Sequence, residues 1–362
     1  MAVYRRGLCH LWTLRIFVLR GVKTASIINN IGTIAKFVPI ILFIFITAYF
    51  SFRGHLFGSD FWGHFSNRTL HDRPLDDIFT QIKSTLLVTL WMYIGIEGAV
   101  VMSDKATPRT VSRATILGFM IVSVLYVFVS ILPFGFMSQG ELETLAPPST
   151  AAVLKRIVGT WGEVVINLGI VIALLTSWLV WTLLVAQLPW ACAKDGTFPK
   201  VFARTNANGV PYVSLWVSAI IMQLAMLLVY FANDAWSAML SITGVAILPA
   251  CIGSAAYLWK LIWIKQYPEK AIYSAGMSLV VSVTATLYGI WLVYSAGLQY
   301  LLAGTVIYAI GLAIFMWARK EKAPNEPIFT KIELIIAVAL AVMALLAVWM
   351  LFTGKLPLVY TG

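Results

Sequence analysis

Residues Ser84–Ser103 have the sequence STLLVTLWMYIGIEGAVVMS. This segment is about long enough to cross a bilayer as a helix. Its middle contains Gly95, Glu97 and Gly98, which a helix facing lipid would avoid. Glycine lets the backbone open and present N–H and C=O groups, and a membrane tolerates this only where the segment lines a cavity. The segment therefore predicts a broken transmembrane helix that forms half of a binding site.

The whole chain is strongly apolar. Of its 362 residues, 60% are hydrophobic and 11% are charged, and the mean hydropathy is +0.87. No soluble domain buries that much apolar surface, so the composition predicts an integral membrane protein. The apolar runs have full helix length, which excludes the short alternating strands of a membrane barrel and makes the class all-α. The net charge of +11 needs no nucleic-acid partner if the basic residues lie in cytoplasmic loops.

No motif in the sequence supports an enzyme or a metal centre. Cys9, Cys192 and Cys251 have neither ligand-like spacing nor an evident pairing. No nucleophile–base pair and no phosphate-binding loop is visible. We therefore predict no catalytic residue, no metal and no cofactor.

About nine full spans are predicted after an N-terminal piece, residues 1–22, which is expected to be the remnant of a truncated helix. A signal peptide is the alternative for that piece. The predicted spans are 27–50, 84–103, 113–136, 158–186, 212–231, 235–259, 274–295, 298–318 and 332–353.

The charges alternate between the two sides of these spans. In the loops 51–83 and 137–157, acidic residues balance the basic ones, so we expect these loops outside. The C-terminus is then outside too. The loops predicted to be cytoplasmic contain Arg20, Lys23, Lys105, Arg109, Arg113, Lys194, Lys200, Arg204, Lys260, Lys265, Lys270, Arg319, Lys320, Lys322 and Lys331.

Two charged residues lie well inside the predicted spans. Glu97 is the one carboxylate well inside a span, where a charge costs several kcal/mol unless it is paired or hydrated, so we expect a functional role. The alternative is a protonated carboxyl that packs between helices. Lys36 lies at comparable depth, although its side chain could also extend to the cytoplasmic face.

Tryptophans are the candidate ligand contacts. Membrane tryptophans are most often interfacial anchors, and we assign that role to Trp178. Trp91 and Trp181 could instead offer an aromatic face to a cationic ligand, since a desolvated cation–π contact contributes roughly 2 kcal/mol. Spacing alone leaves the two roles equally supported.

Four motifs together resemble the basic amino acid/polyamine antiporters of the amino acid–polyamine–organocation (APC) superfamily, in particular the bacterial arginine/ornithine antiporters. They are WMYIGIE at 91–97, WTLL at 181–184, KDGTFPKVFA at 194–203, and GVKTAS at 21–26 with Lys36 and Pro39 following. On residues alone, the third motif could equally be a plain connector. The match covers roughly residues 20–318.

The resemblance implies a fold of two inverted five-helix repeats, with the substrate near the midplane. Trp91, Trp181 and, more weakly, Ser177 would contact the substrate, and Ile94 and Gly95 would offer backbone groups. Glu97 would be a gating or proton-sensitive carboxylate. Lys36 would occupy the position where sodium-coupled relatives hold an ion.

The family has four helices before the segment that begins near Arg20, and this sequence has no counterpart to them. We therefore expect a partial inverted-repeat transporter fold: residues 1–22 the remnant, 23–318 the core from the family's fifth helix onward, and 319–362 a cytoplasmic loop with an extra helix. The spans from 274 onward would serve as scaffold or as oligomer contacts.

The expected function is secondary antiport across the inner membrane of a basic amino acid, arginine, for its product, ornithine, with this truncated chain inactive by itself. The expected partners are an amino acid or polyamine substrate, the lipid bilayer, and either a second copy or a complementing N-terminal half. Lysine/cadaverine, arginine/agmatine and histidine/histamine remain open as pairs. A non-transporting membrane remnant, or one half of a split transporter, is the alternative.

Overall fold

The computed structural model describes residues 18–19, 22–54, 57, 69–70, 73–74, 78–101, 103, 106–231, 235–269, 271–353 and 355, so the predicted remnant at 1–22 lies mostly outside the described residues. A two-stranded antiparallel ladder pairs β1 Thr69–Leu70 with β2 Arg73–Pro74. Short 3-10 helices cover Leu132–Gly135 and Lys200–Ala203. The α-helices are α1 Val22–Gly54, α2 Ile78–Tyr93, α3 Gly98–Val101, α4 Pro108–Ile131, α5 Gln139–Glu143, α6 Ser149–Val158, α7 Thr160–Asp195, α8 Tyr212–Phe231, α9 Ala235–Trp263, α10 Ala275–Ala296, α11 Leu298–Lys322 and α12 Lys331–Phe352.

Within the described residues, eight helical segments are long and apolar enough to cross a membrane, which confirms the all-α integral membrane class. A further apolar stretch, Tyr212–Met226, is the part of α8 whose side chains the structure describes, and the helix continues to Phe231. The eight segments are Ile27–Gly54, Phe79–Val101, Pro108–Gly135, Thr160–Asp195, Ile242–Trp263, Ala275–Ala296, Gln299–Lys322 and Lys331–Phe352.

Helix α7 is longer than predicted. It continues past residue 186, through Pro189, and ends at Asp195 inside the segment predicted to be a loop. A proline removes one backbone hydrogen bond, and membrane helices tolerate it where neighbouring groups compensate. The helix ends where Gly196 adopts a φ of +76°, a left-handed conformation that terminates helices.

The segment 137–157, predicted to be a loop, contains the helices α5 and α6. Helix α5 begins with a capping box, in which Ser138 and Glu141 each accept a hydrogen bond from the other's backbone N–H. Met137 and Leu154 are fully buried in a cluster with Phe43 of α1. The segment is therefore ordered by capping and by apolar burial.

The described residues fall into two compact units. The first lies within Met1–Asp77, Ile96–Leu188 and Arg204–Ile220, and the second within Ile78–Gly95, Pro189–Ala203 and Ile221–Gly362. One apolar cluster of the first unit joins α1, α6 and α7, and one cluster of the second unit joins α2, α9 and α10 through Leu86, Leu248 and Leu292. The domain boundaries predicted at residues 22 and 318 stay a prediction.

Glycines bring α1 and α7 into close contact within the first unit. A methyl group on Gly32 would lie 1.9 Å from Cγ2 of Thr176, and one on Gly169 would lie 2.3 Å from Cγ of Pro39. Small residues allow helix backbones to approach closely in a membrane. These two contacts fix α7 against α1 along the part of α7 that precedes Ser177.

Candidate functional site

The predicted break in the Ser84–Ser103 segment is present. Helix α2 ends at Tyr93, residues 94–97 form a turn, and α3 begins at Gly98. Gly95 has a φ of +115°, which residues with a side chain rarely adopt. The glycine therefore allows the chain to leave the helix at this point.

The backbone hydrogen bonds around the turn are those of one helix that ends and another that begins. The N–H of Ile94 donates to the carbonyl of Trp91 at 3.2 Å, three residues back. After the turn, the carbonyl of Glu97 accepts from the N–H groups of Val100 and Val101, at 2.8 and 3.0 Å. Glu97 thus begins the second helical piece, and its side chain is exposed.

The candidate residues of α7 share one face of that helix. Ser177, Trp181 and Leu184 are separated by four and three residues, so they lie one above the other. Trp181 is 37% exposed and Ser177 is half-buried. Within the described residues the Ser177 hydroxyl makes no hydrogen bond, whereas the neighbouring hydroxyl of Thr176 donates to the carbonyl of Ile172 at 2.8 Å.

This face of α7 lies against the second helical piece of the break, within the first unit. A methyl group on Gly98 would lie 3.1 Å from Cδ1 of Leu184. The lack of a side chain at position 98 therefore lets α3 approach the face that contains Ser177 and Trp181. Glu97 immediately precedes this point of contact.

The candidate residues before the break belong to the second unit. Trp91 lies in the last turn of α2 and is 38% exposed, and Ile94 and Gly95 are half-buried. The exposure of Trp91 leaves part of its indole ring accessible. That accessibility is a requirement for any aromatic contact with a ligand.

Lys36 is half-buried on α1 and lines a cavity of about 120 Å³ in the first unit. The cavity is otherwise almost entirely apolar, with Pro39, Phe43 and Ile166 among its walls. The close contact between Gly169 and Pro39 forms part of the same wall. The lysine stem is therefore packed among apolar groups, as expected for a long cationic side chain within a span.

The described residues contain no cluster of three or more histidine, cysteine or acidic side chains that could hold a metal ion. Cys192 and Cys251 are both free thiols.

Sequence reasoning missed the contacts that position these residues. The members of the pairs Gly32–Thr176 and Gly98–Leu184 are far apart in the sequence, and a glycine within an apolar run does not identify its partner. The available signal is that both glycines lie inside predicted spans, where glycine often marks a close helix contact.

Comparison with known proteins identifies the family. The model of a family described as amino acid permease matches residues 6–340. A putative amino-acid transporter of Clostridium perfringens is 46% identical over 344 residues, which are 94% of this chain and 71% of that protein. Arginine/agmatine antiporters of Chlamydia abortus and Chlamydia felis are 47% and 46% identical over 350 residues, 96% of this chain and 71% of each relative.

The family match and the apolar helices lead to the same class. The chain is a multi-pass protein of the inner membrane and a transport protein rather than an enzyme. Because the family model covers most of the chain, the resemblance seen in the motifs is confirmed. The chain belongs to the amino acid permease family.

Proposed function

We propose that this protein is a secondary antiporter that exchanges arginine for agmatine. The helix break at Gly95, close in sequence to an accessible tryptophan and a carboxylate, is the observation that carries the proposal. Relatives 42–47% identical over 96% of the chain have the name arginine/agmatine antiporter. Their names favour agmatine over ornithine, the product expected from the sequence.

The chemistry of the pair supports this choice. Arginine and agmatine share a planar guanidinium group, which stacks on aromatic faces, whereas ornithine ends in a compact ammonium group. A tryptophan that recognises the guanidinium would hold both members of the arginine/agmatine pair in the same way. We propose that Trp91 and Trp181 each make such a contact and that the Ser177 hydroxyl adds a hydrogen bond.

The break is proposed to bind the end of the substrate that differs between arginine and agmatine. Backbone groups at Ile94 and Gly95 are proposed to bind the polar end of the substrate, as discontinuous helices do in other transporters. Agmatine lacks the carboxylate of arginine and so has one more net positive charge at neutral pH. We propose that Glu97 senses this difference or an exchanged proton, and that Lys36 influences gating from α1.

Counterflow in proteoliposomes tests the function. Vesicles containing the purified protein and loaded with unlabelled agmatine should accumulate labelled arginine, and vesicles loaded with ornithine should do so more slowly. Vesicles loaded with cadaverine or histamine are the controls for the other pairs. Faster uptake against ornithine would reverse the choice of product. The absence of uptake against every load would contradict antiport by this chain and agree with the inactivity that the sequence led us to expect.

A further inference from the structure

A second cavity lies beside the last turns of α11, entirely within the second unit. Its volume is about 430 Å³, and its lining includes Thr197, Phe315, Arg319, Lys322 and Glu326. The charge pattern of the sequence places this end of α11 on the cytoplasmic side of the membrane. Two cations and one carboxylate therefore line an opening at the membrane surface.

Arg319 offers unused donors to this cavity. Its guanidinium lies 6.0 Å from the centre of the Phe315 ring, and it makes no hydrogen bond or salt bridge among the described residues. Its charge acts on the carboxylate of Glu333 only through space. A half-buried guanidinium has five N–H donors in a rigid fork, which matches the oxygen atoms of a phosphate group.

Lys322 is held in place on the other side of the cavity. Its Nζ donates to the carbonyl of Asp195 at 2.8 Å, which leaves two N–H donors for another acceptor. Its side chain packs closely on the loop, because a methyl group on Gly196 would lie 2.6 Å from Cδ of Lys322. The backbone N–H of Lys200 donates to the Glu321 carboxylate at 2.8 Å and fixes the same loop to the end of α11.

The apolar wall of the cavity suits the rest of a lipid molecule. Phe315 stacks on Phe329 with the ring centres 6.1 Å apart. The cavity therefore has a cationic part and an aromatic part at the end of a helix that is long and apolar enough to cross a membrane. Basic pockets of this kind on the cytoplasmic side bind anionic lipid head groups.

We propose that this cavity binds the phosphate group of an anionic phospholipid from the cytoplasmic leaflet, with Arg319 and Lys322 as its ligands. The bound lipid would connect the loop after α7 to the end of α11. This inference does not depend on the transported substrate.

Thermal unfolding of the purified protein in detergent tests the proposal. Added phosphatidylglycerol should raise the Tm of the wild-type protein more than the same amount of phosphatidylcholine does. Arg319→Gln should lose at least half of this difference, and Arg319→Lys should lose a smaller part because it keeps the charge without the fork. Lys320→Gln is the matched control, since Lys320 is in the same helical turn but does not line the cavity. It should retain the full difference.

Two further arms separate the alternatives. If Arg319→Gln does not fold, Lys322→Gln replaces it, with the same loss expected. Soluble glycerol 3-phosphate should not reproduce the effect of the lipid, and an equal shift with this ester would overturn the assignment to lipid. Equal Tm shifts of the wild type with the two lipids would overturn the site itself. So would a loss of the difference between the lipids in Lys320→Gln that equals the loss in Arg319→Gln.

Discussion

At the scale of single residues, the substrate proposal depends on which tryptophans contact the ligand. Trp91 and Trp181 are 38% and 37% exposed, and each is close in sequence to another proposed substrate residue. Trp178 is half-buried on α7, and its backbone carbonyl accepts a hydrogen bond from the hydroxyl of Thr182 at 2.8 Å. Trp178 and Trp181 are three residues apart on one helix, so they provide a matched comparison.

We expect Trp181→Leu and Trp91→Leu to weaken arginine binding. Leucine keeps apolar bulk but removes the π face, so each change should cost up to about 2 kcal/mol, which is roughly a 30-fold loss in affinity. Calorimetric titration of the purified variants with arginine measures this loss. Trp178→Leu should bind arginine almost as the wild type does. If Trp178→Leu alone weakens binding, the aromatic contacts have been assigned to the wrong residues.

The carboxylate of Glu97 should matter for exchange. Glu97→Gln removes the charge but keeps the shape, so the protein should insert normally, whereas its exchange or the pH dependence of its exchange should change. Counterflow of arginine against agmatine at a series of pH values measures this. Glu143→Gln, which removes a carboxylate from α5, is the matched control. Exchange by Glu97→Gln that equals that of the wild type at every pH would exclude the proposed role.

The residues of the site differ in how far the sequence identifies them. A carboxylate and two glycines within one apolar run are visible in the sequence, and they predict the break that Gly95 forms. The approach of Gly98 to Leu184 could not be predicted, because it depends on how two distant helices pack. Local composition thus indicates where a helix is interrupted, whereas the neighbours of the interruption are decided by tertiary packing.

At the scale of elements, the segment between α4 and α7 departs most from the expected structure, which is a plain loop. Ser138 and Glu141 have the Ser-x-x-Glu spacing of a capping box, a signal for the start of a helix that is present in the sequence. The helix that follows, α6, packs Ala151, Val153 and Leu154 against α1 and α7. Short helices outside the spans have weak hydropathy signals, so capping motifs are better guides to them.

The carboxyl of Glu141 should make stability depend on pH. Its pKa is lowered, chiefly because the backbone N–H of Ser138 donates to it at 3.0 Å and also because Arg156 donates to it. A lowered pKa stabilises the fold above the ordinary carboxyl pKa, and this contribution disappears as the pH falls through the folded value. Glu141→Gln should therefore lower the Tm at pH 7 by on the order of 1–2 °C, a small effect because the group is partly exposed.

The difference in Tm between the wild type and Glu141→Gln should narrow as the pH decreases from about 5 to about 3. Thermal unfolding followed at several pH values measures it. Glu143→Gln removes the same charge from the same helix without removing the cap, and it should show a smaller difference. A Tm difference between the wild type and Glu141→Gln that is constant over the whole pH range would show that the ionised carboxyl does not stabilise this segment.

At the scale of the whole molecule, the number of crossings determines which loops share a side. Helix α8, Tyr212–Phe231, has 20 residues and so a length of about 30 Å, which is the thickness of the hydrocarbon core. None of the residues of α8 is charged. Whether α8 crosses decides the orientation of every later helix.

We predict that α8 crosses and that the basic loops are cytoplasmic. In a background with Cys9, Cys192 and Cys251 changed to serine, single cysteines are introduced at Thr144, Ala207 and Thr353, all of which are exposed. An impermeant maleimide should label Thr144→Cys and Thr353→Cys in intact cells, because six crossings separate them. Ala207→Cys, one crossing beyond Thr144, should react only after permeabilisation.

Labelling of Thr144→Cys and Thr353→Cys from opposite sides would mean an odd number of crossings between them, with α8 as the helix that fails to cross. Labelling of Ala207→Cys alone in intact cells would reverse the orientation that the charges predict.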